Sequence, residues 1–315
     1  MRDAGSNPPA MEPRFSLPDS TPRSSKKEVV IGGLRVYVYG LEELTHKSDV
    51  EVAVLYLAHN RTRTYLVTEG IAHEVLHRYR SDGRAGKPEL IAVTFNMRNH
   101  GDREISADAN KTWKDGNEAH GLDLLSLIDG SAQDFSLVLK YLPAYLPWFK
   151  KFYNVVGGIS LGGHTAWRIA ALAGEHIHAM WVVVGCPNLT SLLLSRLGVN
   201  PACLHTSTED LYMIPYDNLY AAMTDEQRRR WPRRLSELLG DSDRAVDEKL
   251  PAHIPLLLQH GVLDPLVPYK YTVPWVEAHK DTHRVELFVQ ENTGHSCTKE
   301  MVTRFAVWLD ELLQQ

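Results

Sequence analysis

Residues 155–164 read Val155-Val156-Gly157-Gly158-Ile159-Ser160-Leu161-Gly162-Gly163-His164. The apolar run predicts a strand and residues 165–172 predict a helix, so a tight turn must join the two elements. The G-x-S-x-G spacing puts small residues two before and two after Ser160, where a β-carbon would collide with the adjoining strand or helix. We therefore predict an exposed Ser160 hydroxyl at a helix N-terminus, beside the Leu161 backbone N–H. The alternative is an ordinary glycine-rich turn, because this spacing also occurs by chance.

The length and charge of the chain limit its fold and its partners. Its 315 residues suit one large α/β domain with an insertion, or two small domains, and we favour the first. With 34 basic and 39 acidic side chains the formal charge is −5, which gives no general attraction to nucleic acid or to an anionic membrane. These numbers favour a small neutral molecule as the partner.

The cysteines and the apolar runs bear on the location of the protein. Cys186, Cys203 and Cys297 are odd in number and widely spaced, so they predict neither a disulfide framework nor a zinc site. No apolar run has the length of a signal peptide core or of a membrane span. We expect a soluble protein in a reducing compartment, and so a cytoplasmic location.

Strands and helices alternate along most of the chain. Residues 1–27 are rich in Pro, Ser and charge and predict a disordered or loosely attached leader, so the domain is expected to span residues 28–315. The predicted strands are a hairpin of edge strands at 28–39 and then residues 51–57, 90–95, 178–185, 254–259 and 284–289. The predicted helices are residues 65–80, 131–146, 165–172, 269–279 and 298–313. This alternation indicates a mostly parallel sheet covered by helices on both faces.

Two segments depart from this alternation. Residues 101–122 are polar, include Trp113 and predict a long loop near a site. Between residues 186 and 250 the strand signals vanish, and helices are expected at 192–197, 219–223 and 225–239. An insertion at this point predicts a helical cap over the carboxyl edge of the sheet.

An acid and a base follow Ser160 in the chain. A serine hydroxyl needs a base to take its proton, and that base works best when a carboxylate orients it. Asp264 follows the strand that ends at residue 259, and His295 follows the strand that ends at residue 289. Both would lie at the carboxyl edge of the sheet with Ser160. The alternatives are a loop aspartate that turns the chain before Pro265 and one surface histidine among 15.

The order serine, aspartate, histidine resembles that of the α/β-hydrolase superfamily, from about residue 29 to the C-terminus. The spacing of Gly261, Asp264 and Pro268, together with the Gly294-His295 loop, is most similar to the carboxylesterase, dienelactone-hydrolase and prolyl-oligopeptidase-like branches. The resemblance implies Ser160 as nucleophile, His295 as general base and Asp264 as the residue that orients the base. It implies no metal or organic cofactor.

The resemblance also implies an oxyanion hole made of two backbone N–H groups. Leu161 would supply one of them. The other would come from Arg61 or Asn60, because His59-Asn60-Arg61 corresponds to the stretch in which the family has a His-Gly pair. Asn60 replaces that glycine, and asparagine tolerates a positive φ better than most residues do.

Side chains for the substrate pocket are expected from the cap and from the first sheet loop. We select His59, Tyr212, Tyr216 and Trp231, although aromatic residues at such spacing more often pack a cap onto its core. The predicted activity is hydrolysis of a carboxylic ester, lactone or thioester of a small molecule. Acyl transfer or carbon–carbon bond hydrolysis would use the same three side chains, and a non-catalytic ligand receptor on this fold is the alternative of another class.

Overall fold

The computed structural model describes residues 10–44, 49–81, 87–199 and 211–314. Within these residues eight strands form one mostly parallel sheet. The strand order is β1-β2-β4-β3-β5-β6-β7-β8, with β1 and β2 antiparallel to their neighbours and the other strands parallel. The strands are β1 (Lys26–Ile31), β2 (Leu34–Tyr39), β3 (Glu51–Ala58), β4 (Glu89–Thr94), β5 (Lys151–Ile159), β6 (Ala179–Val183), β7 (Leu256–Gly261) and β8 (Val285–Gln290). Only β1 and β8 are edge strands, so the prediction that β2 is an edge strand is wrong.

Helices cover both faces of the sheet. They are α1 (Tyr65–Ser81), α2 (His120–Tyr145), α3 (Leu161–Ala173), α4 (Leu189–Arg196), α5 (Tyr216–Ala222), α6 (Asp225–Arg230), α7 (Arg233–Lys249), α8 (Val273–His279) and α9 (Lys299–Leu312). Alternate residues of β3 point to opposite faces, because side chains alternate along a strand. Val54 and Tyr56 join the core shared with α2, α3 and α7, while Leu55 and Leu57 join the core under α1 and α9. Both faces of the sheet are therefore buried, which explains why the sequences of the central strands are continuous apolar runs.

Helix α2 begins at His120 and not at residue 131, so the predicted start is wrong. Its first half contains Gly121 and Gly130, which lower helix propensity. A β-carbon at Gly130 would lie 2.6 Å from the Arg98 side chain, and one at Gly121 would lie 2.6 Å from Leu235. Close packing of neighbouring elements therefore sets the start of this helix, and local propensity does not reveal it.

The described part of the connection from β6 to β7 contains helices joined by short loops and no strand. It contains α4, α5, α6 and α7, and residues 200–210 lie outside the described part. The prediction of a single helix over residues 225–239 is wrong, because the helix is interrupted at Trp231 and Pro232. Proline lacks an N–H and fixes φ, so it stands at the start of α7 and not inside a longer helix.

The segment before β1 is bound to the domain from Ala10 onward, in contrast to the loosely attached leader that its composition indicates. The N–H of Glu12 donates to the Asn292 carbonyl (2.8 Å), and the N–H of Phe15 donates to the Cys297 carbonyl (2.7 Å). Further along, the Thr21 hydroxyl donates to the buried Glu74 carboxylate (2.7 Å). These hydrogen bonds outweigh the polar composition of the segment. Residues 1–9 lie outside the described part of the chain.

Two of the three cysteines lie in the described part of the chain. Cys186 and Cys297 are buried and free, and burial raises the pKa of the Cys297 thiol to about 12. Cys203 lies outside the described residues. None of the helices that the structure describes is long and apolar enough to cross a membrane.

Candidate active site

Ser160 occupies a strained turn between β5 and α3. Its φ of 56° and ψ of −112° lie in a region that a non-glycine residue rarely adopts. The turn is so close that a β-carbon on Gly158 would lie 2.0 Å from the Gly162 carbonyl oxygen, and one on Gly162 would lie 2.0 Å from the Ala58 carbonyl oxygen. The Ser160 N–H donates to the Val183 carbonyl (2.9 Å), which ties the turn to β6. The sequence prediction that only small residues fit here therefore has a direct steric basis.

His295 lies in the loop between β8 and α9 and reaches back to Ser160. Its Nε2 is 2.7 Å from the Ser160 Oγ, and its Nδ1 is 2.8 Å from the Asp264 Oδ2. A carboxylate only accepts, so the His295 Nδ1–H donates to Asp264 and the neutral Nε2 accepts from the Ser160 hydroxyl. The structure thus brings together the three side chains that the sequence selects, in the arrangement that a general base requires.

Asp264 is held in place from both sides. Its Oδ1 accepts the N–H groups of Leu266 (2.8 Å) and Val267 (2.9 Å), and its Oδ2 accepts His295. Burial alone would raise the pKa of this carboxyl, but the hydrogen bonds from His295 and the two backbone N–H groups outweigh it and lower the pKa. Asp264 therefore stays ionised at neutral pH and oriented toward the imidazole.

A cavity of about 370 Å³ opens beside Ser160 and His295. Its apolar wall comes from several separate segments, namely Trp113, Leu124, Leu192, Pro265, Leu266, Pro268 and Tyr271. His164 also lines the cavity. Its Nδ1 lies 3.0 Å from the carbonyl oxygen of Cys186 and 3.3 Å from the backbone nitrogen of the same residue. Burial lowers the pKa of His164 to about 3, so this imidazole is neutral. The cavity has the size and the partly apolar wall of a small-molecule site.

No family model and no curated protein matches the sequence. Solved structures do match its fold. TT1662 from Thermus thermophilus aligns over 93% of this chain and 99% of its own, with a TM-score of 0.62 and 16% identity. The Pyrococcus furiosus esterase Pf2001 aligns over 98% of both chains (TM-score 0.52, 17% identity). The Pyrobaculum calidifontis esterase aligns over 96% of this chain and 86% of its own (TM-score 0.55, 12% identity).

The chain has the α/β-hydrolase fold. The mostly parallel sheet, the helices on both faces and the helical connection after β6 agree with the fold class that the sequence predicts. Within the α/β-hydrolase fold, the carboxyl ends of parallel strands share one edge of the sheet. Ser160, Asp264 and His295 follow β5, β7 and β8, so this edge brings them together although 135 positions separate Ser160 from His295.

The two segments predicted to supply the oxyanion hole are the start of α3 and the loop after β3. Leu161 is the first residue of α3, where the first turn of a helix leaves N–H groups without an intrahelical acceptor. In the loop after β3 the positive φ belongs to Thr62 (61°), and Asn60 does not share it, which corrects the expectation that Asn60 takes the conformation of the missing glycine. The Arg61 side chain lines the cavity, and its Nη1 donates to the Asn110 carbonyl (2.9 Å).

His59 does not line the cavity, so its selection as a pocket residue is wrong. It is fully buried, its Nε2 accepts the Met97 N–H (3.0 Å), and its Nδ1–H donates to the Asn60 carbonyl (2.9 Å). Burial lowers its pKa to about 4. His59 therefore joins the loop after β3 to the loop after β4 as a neutral imidazole.

The three aromatic residues selected from the connection after β6 also lie away from Ser160. Trp231 is fully buried in the core. The Tyr216 hydroxyl donates to the Trp231 carbonyl (3.4 Å), and the Arg233 guanidinium lies 4.5 Å from the Tyr216 ring centre. Tyr212 lines a second cavity of about 340 Å³ together with Trp275. These are packing contacts within the insertion and, for Tyr212, a cavity shared with Trp275 of α8, in line with the alternative that their spacing allows.

The cavity contains residues that the sequence does not single out. Arg196 at the end of α4 and His120 at the start of α2 both line it, while Trp113 confirms that the polar loop of residues 101–122 lies near the site. The His120 and Trp113 rings meet edge to face with centres 4.9 Å apart. Burial and the charge of Arg61 lower the pKa of His120 to about 4. No sequence signal marks Arg196 or His120, because a folded sheet edge brings their segments together.

Proposed function

We propose that the protein is a serine hydrolase that cleaves a carboxylic ester, lactone or thioester of a small molecule through an acyl-enzyme. The observation that carries the proposal is the continuous chain of hydrogen bonds from Ser160 through His295 to Asp264 at the wall of the cavity. Backbone strain of this kind is concentrated at functional sites, and transfer of an acyl group to a serine requires this chain of hydrogen bonds.

In the first half-reaction the Ser160 Oγ attacks the substrate carbonyl carbon while the His295 Nε2 takes the hydroxyl proton. Asp264 stabilises the resulting imidazolium without taking the proton itself. Collapse of the tetrahedral intermediate breaks the bond to the leaving oxygen or sulfur, and His295 returns the proton to that atom. The products of this step are an ester on Ser160 and the alcohol or thiol, which is released from an ester or thioester and stays on the acyl chain as a hydroxyl when the substrate is a lactone.

The negative charge on the tetrahedral oxygen requires two N–H donors. The Leu161 N–H is supported by its position at the positive end of the α3 dipole. The loop of Asn60 and Arg61 supplies the second, as the family resemblance implies. Loss of one such donor costs about 3 kcal/mol of transition-state stabilisation. In the second half-reaction His295 activates a water, which releases the acid and restores Ser160.

The comparisons support this chemistry through the fold. Two of the structures with this fold carry the name esterase, at 12% and 17% identity. A fold hosts many activities, so ester cleavage by this chain rests on the site itself. The cytoplasmic location and the absence of a cofactor remain predictions from the sequence.

The test is reaction of the purified protein with a fluorophosphonate probe and with p-nitrophenyl esters of increasing chain length. Wild type should be labelled once and should turn over esters, and Ser160→Ala should lose both. Ser126→Ala is the matched control, because Ser126 is exposed on α2 and only donates to the Asp123 carbonyl (2.9 Å). Product analysis with an added alcohol separates hydrolysis from acyl transfer. A wild type that neither labels nor turns over any ester would favour the ligand receptor.

A further inference from the structure

The cavity beside Ser160 has a strongly cationic lining. Four cationic side chains line it, Arg61, Lys114, Arg196 and Lys270, and none of its described lining residues is Asp or Glu. The chain as a whole has a formal charge of −5, so this concentration of positive charge is local. A cleft lined by one sign of charge raises the local concentration of ligands of the opposite sign.

The two arginines lie deeper than the lysines. Arg61 and Arg196 are half-buried, whereas Lys114 and Lys270 are exposed. Arg196 donates from Nε (3.3 Å) and Nη2 (2.6 Å) to the Leu266 carbonyl. Arg61 donates from Nη1 to the Asn110 carbonyl. Neither forms an ion pair with a described residue. A guanidinium has five N–H donors, so both arginines retain donors for a ligand.

The carboxylates whose charges act on the two arginines, Asp264 and Asp115, already accept other hydrogen bonds. Both oxygens of Asp264 accept hydrogen bonds from His295 and from its own loop. The charge of Asp115 acts to raise the pKa of Arg61, but the Asp115 carboxylate accepts a hydrogen bond from the Thr112 hydroxyl (2.6 Å). Two guanidinium groups thus share one cavity with only weak compensation from protein carboxylates.

The two guanidinium groups repel each other across the cavity. Burial lowers the pKa of Arg196 to about 10, and the like charge of Arg61 contributes in the same direction. Burial also lowers the pKa of Arg61. Both groups remain protonated at neutral pH, so an anion that enters the cavity removes the repulsion between them and gains charge-assisted hydrogen bonds.

We propose that the cavity selects an ester that carries a carboxylate, with the carboxylate bound by Arg61 and Arg196 and the apolar body against Trp113, Leu124 and Leu192. The inference rests on the proposed hydrolase activity, and it replaces the expectation of a small neutral partner. Guanidinium groups match a carboxylate in planar geometry, which an ammonium does not. The apolar part of the wall favours a substrate with a short hydrocarbon segment between the carboxylate and the reacting carbonyl.

The experiment compares p-nitrophenyl hydrogen adipate with p-nitrophenyl hexanoate, which has the same acyl length and no charge. A second pair, 4-carboxyphenyl hexanoate and its neutral match 4-carbamoylphenyl hexanoate, puts the carboxylate on the alcohol side. The kcat/KM of wild type should be at least about tenfold higher for one of the charged esters than for its neutral match. In Arg196→Gln this ratio should fall toward one, and in Arg196→Lys it should fall less. Arg244→Gln, on an exposed arginine paired with Asp241, should keep the wild-type ratio.

The outcomes separate the two proposals. Equal kcat/KM for charged and neutral esters in wild type would overturn the charge selection and leave the hydrolase intact. Absence of turnover and of fluorophosphonate labelling would overturn the hydrolase. Calorimetric titration of wild type and Arg196→Gln with adipate and hexanoate then tests the charge selection alone. Tighter binding of adipate only in wild type supports it, and equal binding overturns it.

Discussion

Asp243 and Arg168 form a buried ion pair between α7 and α3. The Asp243 carboxylate also accepts the N–H groups of Leu189 (3.0 Å) and Thr190 (2.8 Å) at the start of α4. Arg168 in turn donates to the Pro187 carbonyl (3.3 Å). One carboxylate therefore joins the helix that follows Ser160 to two helices of the insertion, including the helix that carries Arg196.

Removal of this carboxylate should destabilise the protein strongly. In Asp243→Ala the guanidinium of Arg168 and two N–H groups lose their partner in the interior, and loss of one member of a buried pair typically costs about 3–5 kcal/mol. Asp241→Ala is the control, because Asp241 forms an exposed pair with Arg244 and such pairs contribute about 0–1 kcal/mol. Urea unfolding measures both. Similar losses in the two variants would contradict the role assigned to Asp243.

A methyl group at Gly162 should have the opposite effect from one at Gly70. In Gly162→Ala the new β-carbon meets a main-chain oxygen at 2.0 Å, so the turn must shift; we expect destabilisation by about 1–3 kcal/mol and loss of fluorophosphonate labelling. In Gly70→Ala the nearest atom is the Leu17 Cβ at 3.6 Å, and α1 should gain about 0.5–1 kcal/mol. Thermal unfolding and labelling measure the two effects. An unchanged reactivity in Gly162→Ala would show that the turn is less constrained than its contacts indicate.

Asp264→Asn should lower kcat and leave KM nearly unchanged. The amide can donate to His295, which favours the imidazole tautomer that cannot accept the Ser160 proton, and the cost of this change is about 10⁴-fold in a serine triad. Steady-state kinetics with a p-nitrophenyl ester gives the value, and exposed Asp281→Asn is the control. Retention of full kcat would mean that Asp264 does not orient the base.

Acid should begin to destabilise the protein at a pH above the range in which carboxylates titrate. Burial lowers the pKa of His59, His120 and His260 to about 4 and that of His164 to about 3. In the unfolded chain these groups titrate near about 6.5, so between about pH 6.5 and 4 the unfolded state binds more protons than the native state. Their stabilising contribution is complete above pH 6.5 and is lost as the pH falls toward 4.

Each such histidine contributes a slope of up to about 1.4 kcal/mol per pH unit in that window. Urea unfolding at pH 7.5, 6.0 and 5.0 measures the slope. His260→Asn should reduce this slope by the contribution of about one proton, whereas the substitution of an exposed histidine, His176→Asn, should leave the slope unchanged. A free energy of unfolding that stays constant from pH 7.5 to 5.0 would contradict the prediction.

The sequence predicts the hydrogen-bonded set of Ser160, His295 and Asp264 better than it predicts the cavity around it. Gly158 is required by a contact with Gly162 inside the turn, and Gly162 by a contact with Ala58 on the neighbouring strand β3, so the sharp turn itself produces the G-x-S-x-G pattern. Asp264 and His295 are found because each follows a strand whose apolar run is easy to recognise. The boundaries that depend on distant packing, such as the start of α2 against Arg98 and Leu235, are missed.

The cavity wall has no comparable local signature. Arg61, His120 and Arg196 belong to three segments that meet only in the folded protein. Selection by residue type instead favours Tyr212, Tyr216 and Trp231, because an aromatic side chain in a core and one in a pocket look alike in sequence. A single cationic residue in each segment gives no sign that the charges converge on one site.

The hydrogen bonds from Glu12 and Phe15 to the loop that carries His295 set an order of events during synthesis. Residues 10–15 leave the ribosome long before His295 does. The early segment therefore has no partner until the last strand and its loop have emerged, and Ser160 has no base during that time. A nascent chain that already contains the whole insertion and most of the sheet thus still lacks the base of the proposed reaction, and the site is complete only when residues 10–15 and the loop of His295 meet.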